Sequence, residues 1–178
     1  MQPNVKTLSA RVPARVALFV VALGLAACGS GSDGLAEWAS RYCESRAKYD
    51  ARLLAMPAPE AVSSDFESRR AQLQEFLPPI IAATNDYVNE VALLEVPTAA
   101  RAYHDGNLES NRETIAILAE GLDAYRTATS LADLDAISDE IGLALGAIYD
   151  QSDLADLNSD PRVREAILNA GDCGLPDA

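Results

Sequence analysis

Residues 35–54 read LAEWASRYCESRAKYDARLL. Leu35, Trp38, Tyr42, Tyr49 and Leu53 recur at steps of three, four, seven and four, which places them on one face of an α-helix. The positions between them are mostly charged or small, so the stretch predicts an amphipathic helix with a single core-facing side. Ser32 or Asp33 offers a cap in front of it. Met56-Pro57-Ala58-Pro59 ends it, because proline has no N–H to continue a helical turn.

The same period runs through the rest of the chain. A second helix is expected from near Glu60, carrying Val62, Phe66, Leu73, Phe76, Leu77, Ile80, Ile81, Tyr87, Val88, Val91 and Leu94. Pro78-Pro79 falls inside it; the apolar period resumes afterwards, which predicts a kink rather than a break. Pro97-Thr98 opens a third helix with Leu108, Ile115, Leu118, Ala119, Leu122 and Tyr125 on its inner side, and Asp105-Gly106-Asn107 reads as a turn-like interruption near its start. Ser130-Leu131-Ala132-Asp133 is close to a capping box. It begins a fourth helix whose inner face is Leu134, Ile137, Ile141, Leu145, Ile148 and Leu154. Asp160-Pro161, a cap followed by proline at the first helical position, starts a short fifth helix that reaches about Asn169. No segment shows the alternation of a strand. The expectation is an all-α domain over residues 35–178: a four-helix up-down-up-down bundle, a short C-terminal fifth helix and one disulfide.

The N-terminus has a different logic. Lys6, Arg11 and Arg15 are the only charges before Asp33, and Val16 to Ala27 is an uninterrupted apolar run. Twelve residues at ~1.5 Å each are too short to span a bilayer durably, and positive charge ahead of such a run is the plan of an export signal. Leu25-Ala26-Ala27-Cys28 closes it. This resembles the lipobox of bacterial lipoproteins. The resemblance implies cleavage after Ala27, leaving residues 1–27 as signal peptide. It also implies a diacylglycerol thioether, with acyl chains of the palmitate class, on Cys28. Residues 28–34 then form a Gly/Ser-rich tether. Beyond the lipobox, the chain resembles in style the Ala-rich helical lipoproteins of high-GC Gram-positive bacteria; that likeness has no diagnostic motif, and no functional residue transfers from it. The expected location is the outer face of the cell membrane, held by the lipid anchor.

Export bears on the other cysteines. Cys43 and Cys173 remain, an even pair in an oxidising compartment, and are expected to form a disulfide. Closing a loop of about 130 residues is worth ~4–5 kcal/mol in the chain-entropy model. In the expected bundle the end of helix four lies beside the start of helix one. The staple would then gather the C-terminus at the anchored end.

The whole chain carries 14 basic and 27 acidic residues, a net charge of −13. Removing residues 1–27 leaves 11 bases against all 27 acids, a net of −16. Such a surface excludes nucleic acid as a partner, because that binding needs phosphate neutralisation. It also opposes lying flat on anionic lipid.

Three groups stand out as candidates for chemistry. His104, between Tyr103 and Asp105, is the sole imidazole; adjacent helical residues diverge by about 100°, so the reading is a surface or helix-packing histidine rather than a functional one. Asp150, Asp153, Asp156 and Asp160 share a helix face at the end of helix four, where calcium would relieve their repulsion, but no calcium-loop pattern accompanies them and a solvated helix end is expected. Gly142 and Gly146, four apart, suggest a tight seam with a neighbouring helix, or alternatively a shallow apolar groove. No nucleophile elbow, phosphate loop or dinucleotide fingerprint occurs. No catalytic residue, metal site or cofactor is therefore assigned. The expectation is a non-enzymatic interaction module with a protein partner in the envelope. The alternatives are a carrier that opens at Pro78-Pro79 for a small apolar ligand, and a weak cation-binding or carboxylate-based envelope enzyme.

Overall fold

The computed structural model describes residues 33–57, 63–152, 160–171 and 173. Every regular element among them is helical: α1 Asp33–Leu54, α2 Phe66–Ala92, α3 Arg101–Thr127, α4 Leu131–Ser152 and α5 Pro161–Asn169, with a 3-10 turn, Thr98–Ala100, leading into α3. The chain is all-α. Residues 1–32, on which the expected signal peptide, the acylated Cys28 and most of the expected tether fall, lie outside the described residues.

Local chemistry sets the boundaries. Residues 63–65 are not helical, so α2 begins at Phe66 rather than near Glu60. The cap is Asp65, whose carboxylate accepts from the Ser68 N–H at 2.9 Å, one of the orphan donors of a first turn. Its own N–H is taken by Ser63 Oγ at 3.1 Å. At α4, Ser130 Oγ accepts from the Asp133 N–H at 3.1 Å, and Asp133 reaches back to the Thr129 N–H at 2.9 Å. This is the reciprocal logic of a capping box, moved one residue outward. Asp160 caps α5 with Pro161 at the first helical position, as its sequence suggests. Gly171, at φ +94°, then turns the chain beyond α5 in a conformation that only glycine adopts without strain.

α2 passes through Pro78 and Pro79 as one helix. The two rings deprive the carbonyls of residues 74 and 75 of their usual donors. Both prolines are exposed, so water can take over that role. The expected interruption at Asp105-Gly106-Asn107 is absent, because α3 is helical throughout. His104 and Leu108 are buried on either side of it. Asn107 accepts from the Tyr87 hydroxyl at 3.1 Å. Tertiary burial has outweighed a local turn signal.

From α1 to α4, each helix runs antiparallel to the one before it. Tyr49 meets Thr84 and Ser45 meets Glu90 across α1 and α2. Tyr87 meets Asn107 while Gln74 reaches the Tyr125 carbonyl across α2 and α3. The packing is serial: α2 on α3 most extensively, α4 on α3, α1 on α2, and α5 on α1. The place beside α1 where helix four would close a four-helix ring is taken by α5 instead.

The core divides accordingly. One cluster joins α1, the C-terminal half of α2, the start of α3 and α5, with Trp38, Tyr87, Val91, Val163 and Ile167 at its centre. The other joins the N-terminal half of α2, the C-terminal half of α3 and α4 around Leu77, Leu118, Tyr125 and Leu134. The α2–α3 hairpin is the spine common to both.

Candidate functional site

Cys43 and Cys173 come together with their Sγ atoms 1.94 Å apart, at disulfide distance, and their Cα atoms 4.5 Å apart. Cys43 lies halfway along α1, ten residues and so ~15 Å from Asp33. The staple therefore grips the middle of α1 rather than its N-terminal end, where the sequence places the anchor. It does so through α5, whose Val163 and Ile167 are buried in the same cluster.

The aromatic side chains of α1 do more than fill volume. Trp38 stacks on Tyr42 at 5.3 Å between centroids, and Tyr103 meets both rings edge-on at 6.1 and 5.6 Å. Two turns further, Tyr49 stacks on Tyr87 at 5.0 Å. A buried tyrosine needs a partner for its hydroxyl, and each has one. Tyr42 pairs with the Tyr103 hydroxyl at 3.2 Å, Tyr49 with Thr84 Oγ1 at 3.2 Å, and Tyr87 donates to Asn107 Oδ1 at 3.1 Å. Burial, with the neighbouring Tyr87 and Tyr103 adding to it, raises the Tyr42 pKa well above the ordinary phenol value. Burial likewise pushes Tyr87 to about 12. These hydroxyls stay protonated and act as hydrogen-bonding struts. Arg46 lies 5.6 Å over the Tyr49 ring and pairs with Asp50 at 3.1 Å. Burial works against its charge, but Asp50, with Tyr87 and Tyr42 adding to it, outweighs that and its pKa is raised.

His104 is part of this cluster and only 3% exposed. Its Nδ1 accepts a long hydrogen bond, 3.4 Å, from the Trp38 indole N–H, which leaves the ring proton on Nε2. Burial lowers its pKa, so the ring is neutral at pH 7. A packing histidine is what the geometry gives.

At the N-terminal end of α1, a groove of about 520 Å³ runs between the helix and the connection that follows α2. Gly34, Glu37, Trp38 and Arg41 form one wall, and Leu93 to Pro97 the other. Glu37 and Arg41 pair at 2.9 Å along it, and Leu93 stands 85% exposed at the rim. The groove was not evident from the sequence, because one wall is a loop with no periodicity to read.

The remaining candidates separate. Asp160 caps α5 and holds Arg162 at 2.7 Å; the side chains of Asp150, Asp153 and Asp156 lie outside the description. Among the described residues, no three His, Cys, Asp or Glu side chains converge as a metal site. Gly142 and Gly146 do not form the expected seam, since a Cβ on either would meet nothing within 4 Å. The close approach is at Gly121 on α3, where a Cβ would collide with Cδ1 of Ile141 and come within 2.9 Å of its Cγ1. A single glycine in a helix gives no spacing signal, which is why the seam was misplaced. Among the described residues, no helix is long and apolar enough to cross a membrane. Comparison of the chain with protein-family models, with curated proteins and with solved structures finds no match, so its fold and its candidate sites rest on its own residues.

Proposed function

We propose that this chain is a lipid-anchored envelope protein, held through an acylated Cys28, whose helical domain works outside the cytoplasmic membrane as a non-enzymatic interaction module. The observation that carries the reading is the Cys43–Cys173 pairing. Disulfides persist in oxidising compartments, and that is where the leader ending in Leu25-Ala26-Ala27-Cys28 would deliver the chain. The acidic surface supports a domain held off anionic headgroups by its tether rather than lying on them. Binding is favoured over catalysis by the state of the buried groups. The His104 lone pair is engaged by Trp38, and the Tyr42 and Tyr87 hydroxyls are paired and held protonated.

The test is Cys28→Ser, expressed with its own leader in a bacterium that processes lipoproteins. The parent is expected in the membrane fraction and labelled by a palmitate analogue. The variant is expected in the soluble extracytoplasmic fraction, unlabelled, with the same melting temperature. A variant that stays in the membrane fraction after leader removal would falsify the anchor.

A further inference from the structure

Another groove, with a volume of about 240 Å³, lies between α3 and α4. Its floor is apolar, formed by Ile117 and Gly121 of α3 and by Ile137, Ile141 and Ala144 of α4. Glu120 stands on one rim and Glu140 on the other. Both are exposed, and neither has an ion-pair partner among the described residues. The contrast with α1 and α2 is clear: Arg41, Arg46, Lys48, Arg52, Arg69 and Arg70 are all paired within the fold.

The sequence strengthens that contrast. Between Arg126 and Arg162 the chain has eight acidic residues and no Lys, Arg or His. All of α4 falls in this stretch, so the groove is set in the most one-sided charge of the protein. Leu143, 77% exposed, adds uncovered apolar surface on the same helix.

From this combination we infer that the α3–α4 groove is a docking site for a basic amphipathic helix of a protein partner. Two antiparallel helices with an apolar furrow between them are the receptor half of helix-in-groove recognition. The partner's apolar side chains would occupy the floor, and its Lys or Arg side chains would reach Glu120 and Glu140. The wider acidic field would steer a basic segment in and turn away acidic ones. Charge selects this occupant over the others. A second copy of the chain would bring the same acids to the same rims, and an anionic lipid surface would be repelled. The inference rests on reading the domain as an interaction module, and it names the surface and the chemistry of what binds there.

The experiment uses the purified protein and two synthetic helical peptides that share one leucine pattern, with either Lys or Glu at every other position. The Lys peptide is expected to bind, more weakly as salt is added, and the Glu peptide is expected not to. Glu120→Lys with Glu140→Lys should weaken the Lys peptide about tenfold, since two attractive contacts become repulsive. Glu75→Lys with Glu165→Lys changes the net charge equally but lies on α2 and α5, and should leave binding within about threefold. Ala144→Phe fills the furrow without altering charge and should also weaken the peptide about tenfold. If Ala144→Phe does not fold, the two charge pairs still decide.

Equal losses from both charge pairs would reduce the effect to bulk electrostatics and overturn the site. So would the absence of peptide binding. Sedimentation at dimer mass, abolished by Ala144→Phe, would assign the groove to a second copy instead. None of these outcomes depends on acylation, so a failure here and a failure of the Cys28 test are separately visible.

Discussion

Gly121 and Gly142 are both helical glycines, yet they do opposite things. At Gly142 and Gly146 nothing lies within 4 Å of a Cβ, so each glycine only adds backbone freedom to the unfolded chain. Alanine there should stabilise by ~0.5–1 kcal/mol per site. At Gly121 the added methyl meets Ile141, a β-branched side chain with few rotamers to retreat into. We expect Gly121→Ala to fall ~1–3 kcal/mol below Gly142→Ala in denaturant unfolding. A Gly121→Ala protein as stable as Gly142→Ala would show that Ile141 yields freely and that α3 and α4 need no glycine to meet. His104 gives a prediction of a different kind. Burial depresses its folded pKa, while the unfolded chain titrates near ~6.5. Between those values the unfolded state holds a proton that the folded state refuses, so stability rises with pH through this window and is lost as pH falls below ~6.5. The change from pH 7.5 to 5.5 should therefore cost the parent more stability than it costs His104→Gln. Parallel slopes would remove His104 from the titration.

At the scale of elements, the inner faces of α1 and α4 were legible because packing imposes the helical period on residue type. Leu35, Trp38, Tyr42 and Tyr49 are buried as their spacing requires, and Leu134 and Ile148 likewise. What misled were signals that tertiary contacts override. Asp105-Gly106-Asn107 reads as a turn when seen alone, but Asn107 is held by Tyr87 and the helix continues through it. At the start of α2 the helical spacing of Val62 and Phe66 carried the expected helix too far toward the N-terminus, so its boundary depended on recognising Asp65 as the cap. The staple was legible as a pairing and not as a position. Periodicity cannot say that α5, rather than α4, lies against α1. That placement has a consequence. A nine-residue helix is too short to hold by itself, so α5 depends on burial of Val163 and Ile167 and on the covalent link. Replacing Cys43 and Cys173 together by Ser should cost ~2–5 kcal/mol in denaturant unfolding. It should also bring hydrogen exchange in α5 forward ahead of that in α2 and α3. Exchange in α5 as slow as in the parent would mean that packing alone secures it.

For the whole molecule, two clusters on one spine imply a mechanical independence that a single four-helix core would not have. Leu134 is fully buried in the cluster of α4, and Ile167 is fully buried in the cluster of α1 and α5; among the described residues, the α2–α3 hairpin is what the two clusters share. Truncating Leu134 to Ala removes packing that α4 shares with α2 and α3, and should cost ~2–5 kcal/mol. Ile167→Val removes one methyl from the other cluster, at ~0.5–1.5 kcal/mol. Sites that share no partner add, whereas sites in one packed core couple. The double variant should thus lose the sum of the two, within ~0.5 kcal/mol. A coupling larger than that would mean the hairpin transmits strain between its ends and that the two clusters behave as one core. Additivity has a functional side as well. It would leave the α3–α4 surface free to adjust to a partner without loosening the cluster that carries the disulfide.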